Sequence, residues 1–258
     1  MTIQYKEISV HFEVSGEGKP VVLLHGFLEN SKMWQHLTKT LNATCKVIAI
    51  DLLGHGETEC LGYIHTMEDM AEMVCVVLDH LGVSEATVIG HSMGGYVALA
   101  LAELYPDKIS ALCLLNSTAE ADSEERQLNR DRAVKAVKQN YKAFVSMAIA
   151  NLFAEDNRER LSESIAQVRS EALKTPLQGI VAALEGMKVR KDRREQFVNG
   201  SYKKLLVIGL KDPVLDYESV MAYVANSNIE VVEFPDGHMS YIEDKEELDY
   251  KILQFIEK

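Results

Sequence analysis

A serine flanked by glycines is the strongest chemical signal in the sequence. Ser92 stands in the run 90–94 (Gly-His-Ser-Met-Gly), between an apolar stretch at 87–89 and a helical stretch at 96–104. A serine at a sharp strand-to-helix turn exposes its oxygen at the edge of a sheet, and glycines two residues away let strand and helix approach closely. We therefore predict that Ser92 is a nucleophile. The alternative is an ordinary glycine-rich turn that carries a surface serine.

A serine hydroxyl is a weak nucleophile without a neighbouring base, and histidine is the usual base. Of the eight histidines, His238 follows a predicted strand on a loop with proline and glycine, at the same sheet edge as Ser92. We predict that His238 is the base, with loop stabilisation as the alternative role. His91 adjoins Ser92 on the turn, where neighbouring side chains point apart. The other histidines are interpreted as solvated bystanders (His11, His36, His65, His80) or as members of glycine-flanked loops near the site, structural or catalytic (His25, His55).

The base needs an acid that fixes its tautomer and supports its charged form. Asp212 stands three residues after Gly209, just beyond a buried strand that should end at the same edge. Asp216 and Asp236 compete for this role. We expect Asp216 to begin the following helix and Asp236 to form a turn, so Asp212 is the predicted acid.

Two backbone N–H groups are predicted to stabilise the negative oxygen of a tetrahedral intermediate. The N–H of Met93 lies at the start of the helix beside Ser92. The N–H of Phe27 follows a glycine turn after the buried strand at 21–24. Two convergent donors of this kind form an oxyanion hole. The alternative is that Gly26 only permits a tight turn.

These residues must be positioned by a sheet, because each follows a predicted strand. Residues 2–15 alternate loosely between apolar and polar and predict two antiparallel edge strands. Continuous apolar runs predict buried strands at 21–24, 47–50, 87–89, 109–115, 204–208 and 230–234. Helical patterns separate them, as at 66–81, 217–224 and from 245 onward. This alternation predicts an α/β protein with a mostly parallel sheet of about eight strands flanked by helices.

The rhythm of strand and helix breaks between residues 119 and 199, a segment that we call the cap. It contains no convincing strand, and its charged helical patterns cover 123–137, 141–153, 158–173 and 176–187. We predict a helical insertion over the carboxyl edge of a core formed by 1–118 and 200–258. The alternative is a separate helical domain, which the absence of flanking linker-like composition disfavours. Apolar cap residues are expected either to line an acyl pocket or simply to pack: Phe144, Met147, Leu152 and Phe153.

Composition excludes several classes of function. The net charge of −12 disfavours binding to nucleic acid, since an acidic surface repels phosphate. No apolar run approaches the roughly 20 residues that span a bilayer, and the first residues lack a signal-peptide pattern. We therefore expect a cytoplasmic protein with no membrane partner. The cysteines are scattered, which favours free thiols over disulfides or a metal site: Cys45, Cys60, Cys75 and Cys113.

With its nucleophile, acid and histidine in the order Ser92, Asp212, His238, the chain resembles the α/β-hydrolase superfamily over nearly its full length. The motifs that carry the resemblance are His25-Gly26-Phe27, Asp51-x-x-Gly54-His55-Gly56, the run 90–95, Gly209-x-x-Asp212 and Gly237-His238. The resemblance implies a lid at the cap and a Ser-His-Asp triad that needs no metal or cofactor. Within the superfamily it looks like the small single-domain serine esterases and their relatives, which implies carboxylesterase activity on a small-molecule ester or acyl substrate, in a monomer or homodimer.

Other activities of the superfamily remain as alternatives. Epoxide hydrolases and haloalkane dehalogenases have aspartate at the position of Ser92, which argues against both. A menaquinone-pathway lyase usually has arginine where this chain has Tyr96, although cap arginines are available for a carboxylate: Arg126, Arg130 and Arg132. Enol-lactonases and carbon–carbon bond hydrolases share the triad. A ligand-binding protein without turnover is the non-enzymatic alternative.

Overall fold

A computed structural model describes residues 1–257, in which eight strands form one sheet. In chain order the strands are β1 (Thr2–Tyr5), β2 (Ile8–Ser15), β3 (Lys19–Leu24), β4 (Cys45–Ile50), β5 (Ala86–His91), β6 (Ile109–Leu115), β7 (Lys203–Gly209) and β8 (Glu230–Phe234). Their spatial order is β1-β2-β4-β3-β5-β6-β7-β8. The pairs β1–β2 and β2–β4 are antiparallel, and the other neighbouring pairs are parallel. The predicted mostly parallel sheet with antiparallel edge strands is confirmed.

Eleven α-helices accompany these strands within the described residues. They are α1 (Gln35–Leu41), α2 (Met67–His80), α3 (Met93–Leu104), α4 (Glu124–Gln139), α5 (Tyr141–Ala150), α6 (Ser162–Ala172), α7 (Leu177–Lys188), α8 (Arg194–Asn199), α9 (Tyr217–Val224), α10 (Ser240–Glu243) and α11 (Lys245–Glu257). None of them is both long enough and apolar enough to cross a bilayer. The short helices α8 and α10 were not predicted.

Each buried strand packs on both of its faces, which explains its continuous apolar sequence. In β3, Val21 and Leu23 join one apolar cluster with side chains of α1 and α11. Val22 and Leu24 join a second cluster with side chains of α2 and α3. Successive side chains of a strand point to opposite faces, and full burial of each stabilises the fold by about 2 kcal/mol. The sheet therefore holds the loops at its carboxyl edge in fixed positions.

The cap consists of α4–α8 and lies in the chain between β6 and β7. Two buried charged groups attach it to the rest of the molecule. Arg193 of the cap pairs with Glu68 of α2 and Glu103 of α3, each at 2.7 Å. Glu243 accepts hydrogen bonds from the N–H of Ala154 at 2.9 Å and from Nδ2 of Asn157 at 3.0 Å. Arg193 and Glu243 are themselves buried, and removing the partner of a buried charge is costly, so these contacts hold the cap in a fixed position.

Candidate active site

The turn at Ser92 has the strained geometry that its glycines predict. It is the single residue between β5 and α3, and its φ of 49° and ψ of −114° lie in a region that L-residues avoid. Its N–H donates to the carbonyl oxygen of Leu115 at 3.0 Å, which holds the turn against β6. A Cβ atom at Gly90 would lie 2.3 Å from the carbonyl oxygen of Gly94. Only glycine allows this approach of strand and helix.

The structure brings Ser92, His238 and Asp212 together, although they are far apart in the sequence. The Ser92 Oγ lies 2.9 Å from Nε2 of His238, and Nδ1 of the same ring lies 2.7 Å from Oδ2 of Asp212. The side chains of His238 and Asp212 are each only 2% exposed. Both distances are those of hydrogen bonds. A proton can therefore pass from the serine to an imidazole that the carboxylate orients.

The loop after β7 keeps Asp212 ionised. Its Oδ1 accepts hydrogen bonds from the N–H groups of Val214 at 2.8 Å and Leu215 at 3.1 Å. Burial alone would raise the pKa of Asp212, but attraction to His238 and the hydrogen bonds outweigh burial and lower the pKa below its ordinary value. Asp212 is thus an acceptor for the Nδ1–H of His238. Asp216 instead caps α9, where its Oδ1 accepts from the N–H of Ser219 at 3.2 Å, as the sequence indicated.

The pairing of β7 with β8 explains why the acid and the histidine meet. Backbone hydrogen bonds continue where the two strands end. The N–H of Leu210 donates to the carbonyl oxygen of Phe234, the last residue of β8, at 2.8 Å, and the N–H of Lys211 donates to the carbonyl oxygen of Asp236 at 2.9 Å. The two loops therefore run side by side. Parallel register brings both loops to the carboxyl edge, where Ser92 also lies.

Asn116 is a residue of this site that sequence reasoning missed. Its Nδ2 donates to Oδ2 of Asp212 at 3.2 Å and to the carbonyl oxygen of Gly237 at 3.1 Å. It thereby links the loop of the acid to the loop of His238. The available signal was its position, since Asn116 is the first polar residue after β6 at the same sheet edge.

The predicted oxyanion donors, Phe27 and Met93, border the turn. Phe27 lies in the loop after β3 and lines the same cavity as Ser92, whereas Met93 is the first residue of α3. Among the described residues, neither of these N–H groups donates a hydrogen bond to a backbone carbonyl oxygen of a turn or loop. Their role in catalysis stays a prediction.

A second buried pair, Glu29 with His91, supports the loops around Ser92. Nδ1 of His91 lies 2.8 Å from Oε2 of Glu29, and its Nε2 lies 3.0 Å from the carbonyl oxygen of His238. Because both ring nitrogens face acceptors, the doubly protonated, cationic form of the ring is the one that satisfies both hydrogen bonds. The Glu29 carboxylate also accepts from the N–H of Gly26 at 2.7 Å and from the hydroxyl of Tyr241 at 3.0 Å. The pair ties the loop of Phe27 to the loop of His238.

The same pair should make the free energy of unfolding depend on pH. Burial opposes both charges, but mutual attraction outweighs it, so the pKa of Glu29 is lowered from 4.5 and that of His91 is raised from 6.5. The pair therefore contributes its full stabilisation of the folded state between pH 4.5 and pH 6.5, the ordinary pKa values of the two groups. Its contribution is lost as pH falls through the folded-state pKa of Glu29 or rises through that of His91.

We expect Glu29→Gln to lower the free energy of unfolding by about 3 kcal/mol near pH 6, because it leaves a buried cation without its counter-charge. The deficit should shrink as the pH rises through the folded-state pKa of His91, because His91 is then neutral in both proteins. Urea denaturation of both proteins at about pH 6 and about pH 9 measures the two differences. A deficit of equal size at both pH values would contradict the ion pair.

A cavity of about 430 Å³ opens above Ser92, between the core and the cap. Its wall includes Phe27, Ser92, Tyr96 and His238 of the core and Arg126, Arg130, Ala148 and Leu152 of the cap. Of the four apolar cap residues considered from sequence, only Leu152 lines it. Phe153 is fully buried in the core cluster and Met147 is 59% exposed, while Phe144 packs against the core cluster. The orientation of each cap helix decides which residues face the cavity.

The remaining histidines and the cysteines mostly follow their predictions. His25 makes structural hydrogen bonds. Its Nε2 accepts from the N–H of Leu52 at 2.8 Å, and its Nδ1 donates to the carbonyl oxygen of Gly26 at 2.8 Å. The interpretation of His11 as solvated was wrong, because its side chain is only 12% exposed and its Nδ1 lies 3.0 Å from Oδ2 of Asp51. The interpretation of His65 as solvated was also wrong. It is fully buried, and its Nε2 accepts from the N–H of Leu61 at 3.1 Å. The four cysteines are free thiols.

The chain is similar to proteins of known family and known structure. The model of the α/β hydrolase fold family matches residues 19–245. The dihydrolipoyllysine-residue acetyltransferase component of the acetoin cleaving system of Pseudomonas putida is 31% identical over 96% of this chain, which spans 66% of that protein. The 3-oxoadipate enol-lactonase 1 of Acinetobacter baylyi is 27% identical, over 94% of this chain and 90% of its own. A thermophilic esterase from Thermogutta terrifontis, solved with malate bound, is 31% identical and superposes with a TM-score of 0.90, over 99% of this chain and 96% of its own.

Proposed function

This chain belongs to the α/β hydrolase fold family, and from that premise we propose that it is a serine hydrolase. It cleaves a carboxylic ester, or a related acyl bond, of a small molecule through an acyl-enzyme. One observation carries this proposal: hydrogen bonds of 2.9 Å and 2.7 Å run without a break from the Ser92 hydroxyl through His238 to Asp212. A serine at the end of such a chain is an activated nucleophile.

The residues act in sequence. Ser92 Oγ attacks the carbonyl carbon of the substrate while His238 takes its proton, and Asp212 supports the resulting imidazolium. The N–H groups of Phe27 and Met93 stabilise the tetrahedral oxyanion, each by about 3 kcal/mol. His238 then protonates the leaving alcohol. It next takes a proton from the water that attacks the acyl-enzyme, and returns this proton to Ser92 Oγ as the bond between Oγ and the acyl carbon breaks and the acid leaves.

The cap determines which substrates enter the cavity that holds Ser92. We propose that residues 119–199 form a lid over a core of residues 1–118 and 200–258. Arg126, Arg130 and Leu152 of the lid border the cavity that holds Ser92. With about 430 Å³ of space, this cavity suits a small ester rather than a polymer or a long lipid.

A lactone is a second form of substrate. The similarity to 3-oxoadipate enol-lactonase 1 covers 94% of this chain, and lactone opening uses the same nucleophile, base and oxyanion donors. The relation to the esterase, at 31% identity, favours open-chain esters equally. Both reactions pass through an acyl-enzyme, whereas a lyase that uses Ser92 only as a base forms none.

An assay of purified protein with short p-nitrophenyl esters and small lactones tests this proposal. We expect turnover of both, with a burst of p-nitrophenol equivalent to the enzyme when deacylation is slower than acylation. Absence of turnover across the whole panel, by protein that is folded, would overturn the assignment as an acyl hydrolase.

A further inference from the structure

We propose that the cap end of the cavity is a carboxylate-binding subsite formed by Arg126 and Arg130. The substrate is then an ester or lactone that carries a carboxylate away from the scissile bond. This inference rests on the proposed acyl-hydrolase function and specifies its substrate class. The observation behind it is an excess of positive charge at the cavity wall, because three guanidinium groups surround one carboxylate.

That carboxylate belongs to Asp122, whose side chain is fully buried. Arg130 approaches it with Nε at 2.6 Å, Arg126 with Nε at 3.5 Å, and Arg190 hydrogen-bonds it through Nη1. One negative charge balances one of the three positive charges. Two positive charges are left over. They belong to partly buried guanidinium groups, which water screens only in part, so a bound anion would stabilise them.

The three arginines are not equivalent. Arg190 is 2% exposed, donates to the carbonyl oxygens of Glu120 at 2.9 Å and Met187 at 3.1 Å, and stacks on the ring of Tyr96 at 4.1 Å. Its donors are thus largely engaged by the protein. Arg126 and Arg130 are 33% and 17% exposed and form part of the cavity wall.

Arg126 has the greatest capacity to bind a ligand. It contacts Asp122 only at 3.5 Å, beyond the usual length of a charge-assisted hydrogen bond. Asn129, which also lines the cavity, uses its Oδ1 to accept from Arg132 at 2.8 Å. Its amide NH₂ is then available as a neutral donor beside the two guanidinium groups.

The subsite is held in a fixed relation to Ser92. Tyr96 lies one turn beyond Ser92 on α3 and lines the same cavity. The contacts already described run from Tyr96 through Arg190 and Asp122 to Arg130. A bound carboxylate would therefore place the rest of the substrate toward Ser92.

No free acid in the cavity opposes this charge. Among the described residues that line it, Glu29 is the one acidic side chain, and its charge is paired with the cationic ring of His91. A carboxylate is the ligand that suits two adjacent guanidinium groups, since the planar donors of arginine match its two oxygens.

A matched pair of substrates tests the subsite. Mono-p-nitrophenyl glutarate and p-nitrophenyl valerate have acyl chains of equal length and differ in the terminal carboxylate. We expect the wild-type protein to prefer the glutarate ester by about tenfold or more, given the strength of charge-assisted hydrogen bonds. The preference should weaken as salt is added.

Arg126→Gln should lower kcat/KM for the glutarate ester by about tenfold to hundredfold, chiefly through KM. It should change kcat/KM for the valerate ester by less than about threefold, because neutral substrate makes no use of the charge. Arg130→Lys keeps the positive charge beside Asp122, so it should lower kcat/KM for the glutarate ester by a smaller factor than Arg126→Gln does. Arg132→Gln is the matched control, since Arg132 lies on the same helix but does not line the cavity, and it should leave the preference unchanged.

Calorimetry with glutarate separates this inference from the proposed function, because binding needs no turnover. We expect glutarate to bind wild-type protein and Arg132→Gln, and to bind Arg126→Gln at least about tenfold more weakly. Equal binding by all three, or equal losses on both esters in a folded Arg126→Gln variant, would overturn the subsite. Glutarate binding that depends on Arg126, in a protein that hydrolyses neither ester, would support the subsite and count against the hydrolase proposal alone.

Discussion

Ser92→Ala is expected to reduce ester turnover by about 10⁴-fold or more, because no other group then attacks the carbonyl carbon. The residual rate would come from the oxyanion donors and from substrate positioning. Alanine fills the space of the serine Cβ, so the cavity should keep its shape. Steady-state hydrolysis of p-nitrophenyl valerate measures the loss.

Ser110→Ala is the matched control, since Ser110 is an exposed serine of β6. Both variants should unfold at the same temperature as wild-type protein to within a few degrees, which separates loss of chemistry from loss of fold. A Ser92→Ala protein that retains about a tenth of the wild-type rate would show that the nucleophile lies elsewhere.

Asp212→Asn is expected to lower kcat by about 10⁴-fold. An asparagine amide presents NH₂ to Nδ1 of His238 and so places the ring proton on Nε2. That nitrogen then cannot accept the proton of Ser92, which lies 2.9 Å away. The variant also loses the negative charge that supports the imidazolium.

The control for this change is Asp216→Asn, four residues further along the chain. Asp216 caps α9 through its Oδ1, and asparagine is an equally good N-cap, so activity and stability should stay near wild type. Parallel measurement of kcat for both variants tests the role of Asp212. Equal losses in both variants, or a fully active Asp212→Asn protein, would contradict the predicted orientation of His238.

The elements with a strong periodic pattern were predictable from sequence. β8 and α9 have the predicted bounds, Glu230–Phe234 and Tyr217–Val224, because clear apolar patterns and turn residues delimit them. The proximity of Ser92, Asp212 and His238 was also predictable. Each follows a parallel strand, and the carboxyl ends of parallel strands share one edge of the sheet.

Other features depend on packing between distant segments, which one sequence does not display. The pair of Glu29 with His91 joins residues 62 positions apart, and nothing in the local sequence of either residue marks it. His65 is buried because it lies against the cap, where its N–H donates to Ala182 at 3.0 Å. The role of Asn116 likewise arises only when β6 and β7 lie side by side. The division into core and cap stays a prediction.

The most direct test is to locate the acyl group of the intermediate on the protein. Wild-type protein mixed with p-nitrophenyl valerate, quenched in acid during turnover and digested, should yield one acylated peptide in mass spectrometry, with the valeryl group on Ser92. The Ser92→Ala protein treated in the same way should yield none. Turnover with no acylated peptide in the quenched samples, or a valeryl group on another residue of the wild-type protein, would contradict an acyl-enzyme at Ser92.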